Sequence, residues 1–467
     1  MNKKVFYLFF GLAFLLWRLI VNFSHDLIPG IGGGYYPLQI RAILDTGQLA
    51  FRDMPLYFYL NASIVKIIWW ISGNENDQVI LLVTRILDSM IPPLMVIPFY
   101  KLSSRFTGDD LSLYFEIPAL AYATFSVAPL FMVAEASKNS SAYPLMAFFL
   151  YYMFEFFRER SSRKAWLAVL FLILTGLTHF GVFAVSLTIL LISLVVFYRQ
   201  RAIPVVAAIV VAGLGFVYLF DPGRTESILW LPLTIFRSAM FRMGPEPYSL
   251  ITYPATLIIL SCALFVIFRG KMSPEKYKRK VFLILLISIG FFSLPVLSRE
   301  YFNRFSLILF IPIFILILQL LSTSARGIKW VIVFAISLTV LSSFIFMIMK
   351  PKTPALSQDA YSDLKKFGSM LENPRSTLVI PRHGIEWWTA WELRTKIGGT
   401  GSLDAETFRK YDKVLVLVHK KESYHENMPA HFAIREPEIP HDPEVFYESD
   451  HFLAVEIDST DLGVYSE

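Results

Sequence analysis

The chain alternates long apolar runs with short polar loops from its first residues to about residue 350. Apolar stretches of about 17 to 25 residues are long enough to cross a bilayer as helices. The pattern therefore predicts an all-α polytopic membrane domain, 1–350, with about eleven transmembrane helices. The predicted helices cover residues 5–24, 80–100, 111–133, 141–157, 165–179, 181–198, 202–220, 251–268, 281–298, 305–322 and 329–349. The segment 55–72 is also apolar but short, and we expect a re-entrant or interfacial helix there.

Basic residues gather in the loops on one side of these predicted helices and are about half as frequent on the other. Lys3 and Lys4 begin the basic side, which continues in Lys101, Arg105, Arg158, Arg160, Arg163, Lys164, Arg199, Arg201, Arg269, Lys271, Lys276, Lys278, Arg279, Lys280, Arg326 and Lys329. Cytoplasmic loops carry such an excess. We therefore expect a multi-pass protein of the plasma (inner) membrane, with its N-terminus in the cytoplasm. Residues 1–23 resemble a signal peptide, but Trp17 and Arg18 interrupt the apolar core, so we interpret them as an uncleaved first helix.

Three segments on the outer side are longer or more polar than a turn requires, namely 25–79, 134–140 and 221–250. In the first of them, PLQIRAIL and PLYFYLNASIVKII predict amphipathic helices that lie in the membrane interface.

The composition changes sharply after residue 350. The tail, 351–467, contains a predicted helix at 358–372, predicted strands at 376–382, 413–419 and 451–458, and a Pro-rich surface loop at 437–443. Alternation of strands and helices predicts a small C-terminal extracytoplasmic α/β domain.

Composition supports the membrane assignment. The 467 residues are 55% hydrophobic and only 17% charged, whereas soluble domains carry about 25% charged residues. The net charge of +6 allows nucleic-acid binding, but the cations cluster between apolar runs, which favours loops beside anionic lipid. Cys262 is the single cysteine, which excludes an intramolecular disulfide and a cysteine-based zinc site.

Ionisable residues beside the outer membrane face are the first candidates for chemistry, because charge near hydrocarbon is costly. The first outer loop carries His25, Asp26, Arg41, Asp45, Arg52 and Asp53. Asp26 closely follows the first helix, and Asp53 precedes the second amphipathic segment. A carboxylate there could take a proton from an incoming hydroxyl; alternatively, both could cap helices or lie solvated at the interface.

Glycines precede two tyrosines in the same loop, in the run GIGGGYYP. This run does not follow a strand within a βαβ unit, so it is a weak nucleotide motif. A tight turn that lets Tyr35 and Tyr36 pack at the headgroup level is the better interpretation.

Cations near the outer leaflet suit a lipid-linked phosphate, which arginine can bind in a bidentate manner. The second outer loop carries Glu135, Lys138 and Asn139. The candidate phosphate ligands are Lys138, His179 between two helices, and Arg299 and Arg304 in SREYFNRF. Alternatively, the long basic side chains extend to the headgroups without a specific partner, and His179 is structural.

Three tryptophans lie close together in the tail, in RHGIEWWTAWEL. This segment contains His383, Glu386, Trp387, Trp388 and Trp391. Aromatic faces can bind apolar sugar faces and cations. They can equally dock a domain on the membrane surface or pack in its core, which we favour.

Several segments together resemble the GT-C fold membrane glycosyltransferases, which include protein O-mannosyltransferases, aminoarabinose transferases and oligosaccharyltransferases. They are GGYYPLQIRAILDTGQLAFRDMPLYFYLNA, ASKNSSAYPLMAFFLYYM, LTHFGVFA and NRFSLILFIPIFIL, and they cover the membrane part in order. The resemblance implies a polyprenyl-phosphate-linked sugar donor, an inverting hexosyl transfer, and Arg304 at the place of an arginine near the donor phosphate. Two features depart from the family pattern. Gly33 and Gly34 stand where its members usually carry an acid, and Thr389 follows the tryptophans in place of an acid.

The leading hypothesis is a membrane glycosyltransferase that acts on a lipid, glycan or protein acceptor at the extracytoplasmic face. Asp26 or Asp53 would be the base and Glu135 would assist it. Arg304, Arg299, Lys138 and His179 would hold the donor phosphate, and Trp387, Trp388, Tyr35 and Tyr36 would form an acceptor or surface platform. No cofactor is required, although a carboxylate pair could hold a divalent cation. Membrane lipids are expected partners, and nucleic acid is not.

Two other functions stay open. Arg18, Arg85, Asp88 and Glu116 lie within apolar runs, as they would in a transporter or lipid flippase, but no internal repeat accompanies them. A non-catalytic GT-C-like scaffold would explain the absence of an acid at Gly33 and Gly34.

Overall fold

Each predicted membrane segment contains a helix in the computed structural model, which describes residues 3–107, 111–230, 234–237, 239, 242, 244–270, 272–399, 404–420 and 444–457. The helices up to residue 350 are α1 (Lys3–Asn22), α2 (Tyr35–Thr46), α3 (Leu56–Ser72), α4 (Asp77–Met90), α5 (Val96–Thr107), α6 (Leu113–Phe125), α7 (Val127–Phe131), α8 (Ser137–Glu159), α9 (Ser162–Thr178), α10 (Phe180–Tyr198), α11 (Ile203–Phe220), α12 (Pro222–Leu229), α13 (Pro247–Phe268), α14 (Lys276–Phe292), α15 (Arg299–Ser306), α16 (Phe310–Thr323) and α17 (Arg326–Met349).

Fewer of the described helices are long and apolar enough to span a membrane than the apolar pattern predicts. Among the described residues, six helices are long and apolar enough to cross a membrane, or up to seven if α15 and α16, which are bent by 57°, form one span. The prediction of about eleven spans is therefore not confirmed. One reason is that α10 and α11, which a 3₁₀ turn joins, make up a single one of the six, Phe180–Phe220. The Phe183 and Phe216 rings lie 5.5 Å apart, so the two helices fold back on each other at this turn. Another is that α9 and α14 have only 17 residues each.

Two of the predicted helices are interrupted, one at a pair of prolines and the other at a serine. Pro92 and Pro93 begin a 3₁₀ turn between α4 and α5, because proline lacks the N–H that a continuing helix needs. Ser126 has an extended backbone between α6 and α7. The helix α3 has 17 residues, and whether it spans the membrane or lies in the interface stays a prediction.

The chain divides into two compact units. The first contains Met1–Ile20, Phe51–Leu60 and Ile86–Pro351, and the second contains Val21–Ala50, Asn61–Arg85 and Lys352–Glu467.

The core of the first unit surrounds α16. All residues of this helix from Phe310 to Leu321 are buried, which matches its sequence, because a helix that is apolar on all sides must be covered on all sides. In contrast, α1, α13 and α17 each expose large apolar side chains, as expected of helices that face lipid.

The second unit contains a five-stranded sheet with the order β2-β1-β3-β5-β4. The strands are β1 (Thr377–Pro381), β2 (Lys396–Ile397), β3 (Lys413–His419), β4 (Glu444–Glu448) and β5 (Phe452–Glu456). The helices are α18 (Gln358–Ser369), α19 (Glu386–Leu393) and α20 (Ala405–Lys410). β1 pairs in parallel with β2 and β3, whereas β5 is antiparallel to β3 and β4. The predicted strands at 376–382, 413–419 and 451–458 correspond to β1, β3 and β5, and the sequence did not predict β2 or β4. Residue 458 and the predicted loop 437–443 lie outside the described residues.

Asp363 of α18 connects this helix to the turn between β4 and β5. His451 Nδ1 lies 2.8 Å from one carboxylate oxygen, and Lys366 donates to the other at 3.0 Å. Burial by itself raises the pKa of Asp363, but hydrogen bonds from His451, Lys366 and Ser449 outweigh it and hold the pKa at about 2.

Because the pKa of folded Asp363 lies below its ordinary value, its ionised form stabilises the fold above pH 4, and this contribution disappears as the pH falls towards 2. We expect Asp363→Asn to reduce stability by about 1 to 2 kcal/mol at pH 7. Hydrogen exchange of the β5 amides in the full-length protein, corrected for intrinsic rates, measures the effect. The difference from wild type should shrink below pH 4. Glu372→Gln, an exposed carboxylate after the same helix, is the control; equal effects of both variants would contradict the prediction.

Candidate functional site

Asp53 and Lys138 form a partly buried ion pair in the first unit. Asp53 is 5% exposed, and the side chain of Lys138, in the first turn of α8, is 15% exposed. The backbone N–H of Met54 also donates to Asp53 at 2.8 Å. The structure thus joins a predicted base to a predicted phosphate ligand, and the low polarity around them strengthens their interaction.

A second ion pair, which is fully buried, holds the turn 132–136 directly before α8, the helix that carries Lys138. Arg18 donates to the Asp88 carboxylate at 2.7 Å and to the backbone oxygen of Asp88 at 2.7 Å, and both residues are at most 1% exposed. The other carboxylate oxygen of Asp88 accepts from the N–H of Ala134 at 3.0 Å, and Arg18 also reaches Ser140 Oγ at 3.1 Å.

Ala134 has a φ of +62°, a conformation that costs a non-glycine residue free energy. The bond from its N–H to Asp88 stabilises that conformation. Arg18 and Asp88 therefore fix the segment 133–140, which presents both Glu135 and Lys138.

The charges that favoured a transporter thus have partners in the structure. Arg18 pairs with Asp88, and Arg85 donates to the backbone oxygen of Asp26. Glu116 accepts from Tyr7 at 2.7 Å and lies 3.0 Å from the Lys3 ammonium group. A structural role accounts for each of them.

A third group of charges surrounds Tyr248 at the start of α13. Glu246, Glu135, Arg304 and Arg299 all act electrostatically on the Tyr248 hydroxyl. Arg299 pairs with Glu246 at 2.7 Å, and the Tyr248 ring stacks on Phe131 with 4.8 Å between the centroids.

Two of the predicted phosphate ligands differ in exposure. The Arg304 side chain is 68% exposed and pairs with Glu300 one helical turn away, at 2.6 Å. The Arg299 side chain is 32% exposed. Arg304 is the more accessible of the two to a ligand phosphate.

Glu135, Arg299 and Arg304 thus act electrostatically on the same tyrosine. Glu246 and Tyr248 were not among the residues predicted from the sequence. The available signal was the polar run GPEPYS directly before an apolar run.

His179 caps a helix. Its Nδ1 atom accepts from the N–H of Val182 at 3.2 Å at the N-terminus of α10, which satisfies a donor that the helix leaves open. This contact leaves Nε2 as the nitrogen that carries the proton in the neutral ring.

Asp26 belongs to the second unit and is exposed. Its backbone oxygen, rather than its carboxylate, accepts the hydrogen bond from Arg85. The second unit therefore leaves this carboxylate at its surface.

Close packing explains the glycines of the first outer loop. A Cβ atom at Gly33 would overlap with the carbonyl oxygen of Ile28. A Cβ atom at Gly34 would lie 2.8 Å from the backbone nitrogen of Trp388 and 2.9 Å from the carbonyl carbon of Trp387. Because the obstacles are backbone atoms, neither position has room for an acidic side chain.

The aromatic residues of the predicted platform contribute to this packing. The Tyr35 ring lies 4.9 Å from the Trp387 ring and 5.4 Å from the Tyr36 ring. Trp388 is fully buried and Tyr36 is 3% exposed, so Trp387 and Tyr35 are the members with accessible surface.

Arg41 connects the same loop to the tail. Its guanidinium lies 4.2 Å above the Trp391 ring and donates to the backbone oxygen of Ala390 at 3.2 Å. Asp77 accepts from both Arg41, at 3.5 Å, and Arg394, at 2.9 Å. Burial lowers the pKa of Arg41 from its ordinary value, but an arginine keeps its charge at pH 7.

Within the described ranges, no three His, Cys, Asp or Glu side chains are close enough together to hold a metal ion.

Solved structures share this fold. ArnT from Cupriavidus metallidurans, in a crystal structure with bound undecaprenyl phosphate, superposes with a TM-score of 0.54 at 10% identity, over 98% of each chain. The arabinofuranosyltransferase AftD from Mycobacteria, seen by cryo-electron microscopy, superposes with a TM-score of 0.56 at 12% identity, over 99% of this chain and 40% of AftD. No protein-family model matches the chain, and no curated protein matches it significantly. The chain therefore shares the fold of these two structures, and this agrees with the GT-C fold that the sequence resemblance predicted.

The packing at Gly34 predicts that even one methyl group is destabilising. We expect Gly34→Ala to cost about 1 to 3 kcal/mol, because backbone atoms must shift to admit it. Thermal unfolding of the purified protein in detergent measures this. Gly399→Ala is the control, since a Cβ atom there meets nothing within 4 Å. An unchanged midpoint for Gly34→Ala would contradict the packing argument.

The Arg18–Asp88 pair makes a second prediction. Asp88→Ala leaves a buried guanidinium without its carboxylate and should cost about 3 to 5 kcal/mol. Arg18→Met combined with Asp88→Leu removes both charges and should cost less. Glu300→Ala, which breaks the exposed pair with Arg304, should cost at most about 1 kcal/mol. Chemical denaturation in detergent compares the variants; a double variant as unstable as Asp88→Ala would count against the charge argument.

Proposed function

We propose that the protein is a membrane glycosyltransferase that moves a sugar from a polyprenyl-phosphate-linked donor to an acceptor on the extracytoplasmic face. The observation that carries the proposal is the partly buried Asp53–Lys138 pair within a GT-C fold. ArnT, which shares the fold, has been crystallised with undecaprenyl phosphate, and this supports a lipid-phosphate donor. We also propose, from the loop charges, a cytoplasmic N-terminus and an extracytoplasmic domain 351–467.

Asp53 is the favoured base. It is buried and oriented by two contacts, whereas Asp26 is exposed and belongs to the other unit. In the proposed reaction Asp53 takes the proton from an acceptor hydroxyl, the oxygen forms a bond to the anomeric carbon, and the lipid phosphate leaves with the bonding electron pair. Attack opposite to the leaving group inverts the anomeric carbon.

Lys138 links donor binding to the readiness of the base. Paired with Lys138, the Asp53 carboxylate is a weak base, because the ammonium group stabilises its charged form. A donor phosphate is a competing anion for Lys138, and its arrival would release Asp53. Glu135, three residues from Lys138 on the same segment, assists in this proposal, and Arg299 and Arg304 supply further phosphate contacts. In this proposal, His179 contacts the donor phosphate through its Nε2 atom.

Kinetics on proteoliposomes with a panel of polyprenyl-phosphate sugars, with release of the lipid phosphate as the readout, tests these roles. Asp53→Asn should lower kcat by about 10² to 10⁴. Lys138→Gln and Arg304→Gln should mainly raise KM for the donor, by about tenfold.

Asp45→Asn, an exposed carboxylate of the first outer loop, is the matched control and should keep the wild-type rate. If Asp53→Asn, Asp26→Asn and Glu135→Gln all keep full activity as single variants, the proposed site is wrong. Wild-type protein that binds undecaprenyl phosphate but releases none from any donor would favour the scaffold, which the closed packing at Gly33 and Gly34 keeps as the second candidate.

A further inference from the structure

A cluster of cations and aromatic rings surrounds the 3₁₀ turn Arg199–Ala202 between α10 and α11. An open cleft at this turn is lined by Phe197, Tyr198, Arg199, Gln200 and Arg201. Two further cations contact its lining: Arg160, at the end of α8, lies over Tyr198, and Lys280, near the start of α14, lies over Phe197. None of these residues belongs to the candidate site.

The rings hold the cations in place. The Arg160 guanidinium lies 4.7 Å from the Tyr198 ring and donates to the Tyr198 hydroxyl. The Lys280 ammonium lies 4.7 Å from the Phe197 ring and 3.5 Å from the backbone oxygen of Phe197. The Phe197 ring in turn stacks on Phe157, with 4.4 Å between the centroids. Cation–π contacts of this kind orient charges without neutralising them.

Among the described residues, the cluster has no carboxylate that pairs with its cations. Arg160, Arg199 and Lys276 all repel the charge of Lys280. In the described part of the chain, none of these four residues forms an ion pair with a carboxylate. Neighbouring cations do: Arg105 and Arg158 pair with Glu155, and Lys278 pairs with Glu275. Like charges held together in this way favour an external anion.

Two arginines of the cluster have a backbone conformation that glycine adopts with less strain. Arg160 and Arg199 both have a φ of +56°, in the region that non-glycine residues rarely adopt. Each ends a helix, α8 and α10 respectively, where glycine is the common terminator. Strained residues of this kind tend to cluster at functional sites.

The location indicates a lipid anion. The turn interrupts the apolar run Phe180–Phe220, and the flanking Val195 and Ile203 are 51% and 66% exposed, as side chains facing hydrocarbon would be. Aromatic and basic side chains at the end of apolar helices lie at headgroup depth, and basic pockets between such helices bind lipid phosphates.

We propose that Arg160, Arg199 and Lys280 form a binding site for the phosphate of an anionic membrane phospholipid, separate from the donor site. The guanidinium groups bind phosphate oxygens by charge-assisted hydrogen bonds. The acyl chains lie against the exposed apolar faces of α10 and α11.

Native mass spectrometry of the full-length protein, released from nanodiscs of phosphatidylcholine and phosphatidylglycerol, tests the site. Wild type should retain phosphatidylglycerol, and Arg160→Gln with Arg199→Gln should bind it about tenfold more weakly. Arg326→Gln with Lys329→Gln removes the same charge from another basic turn and should leave retention unchanged. Equal losses in the two double variants would reduce the effect to general surface charge and overturn the proposal.

Arg199→Gly separates binding from folding. It removes one phosphate contact but relieves the backbone at φ +56°, so its thermal midpoint in lipid-free detergent should not fall, while phosphatidylglycerol retention should. Retention equal to wild type would overturn the role of Arg199. Inorganic phosphate is the second probe: if it competes with phosphatidylglycerol at equal concentration, the site takes a soluble anion and the lipid assignment is wrong.

Discussion

The contact between Arg18 and Asp88 is the constraint on which the candidate site depends. Moving a guanidinium and a carboxylate out of water costs several kcal/mol for each group. Both groups lie in apolar runs, so each is tolerable only while the other is in place. The same carboxylate binds the N–H of Ala134, and the ion pair thereby fixes a turn that the backbone alone disfavours. Glu135 and Lys138 owe their positions to that turn.

Charge matching separates structural charges from candidate ligand sites elsewhere in the first unit. Glu116 and Glu155 are buried, and each is surrounded by cations or hydroxyl groups of the protein. Such groups are satisfied and have no need of a ligand. The Asp53–Lys138 pair is different in one respect: Lys138 is a cation that a phosphate can take over from Asp53. The Arg199 turn is the opposite case, with cations that the described protein leaves without an acid.

The sequence predicted those parts of the fold that depend on local patterns. Apolar runs located the membrane helices, and the strand at 413–419 matches β3 because its alternating valines and leucines are buried within the sheet. The two-residue strand β2 has no pattern to detect, and the helix at 80–100 is interrupted by Pro92. The site was less predictable. Arg18 and Asp88 are 70 positions apart, and no local rule pairs them.

Close packing explains why Gly33 and Gly34 carry no acidic side chain. From the sequence, they are positions where the resembling family carries an acid and this chain does not. In the structure, the backbone of Trp387 and Trp388 occupies the space that a side chain at Gly34 would need. Gly34 and the tryptophan segment therefore pack directly against each other, and Trp388 is fully buried in this contact. An acid for the proposed reaction must come from a residue outside this packing. The proposal assigns that role to Asp53, whose carboxylate Lys138 holds until a donor phosphate takes over this cation.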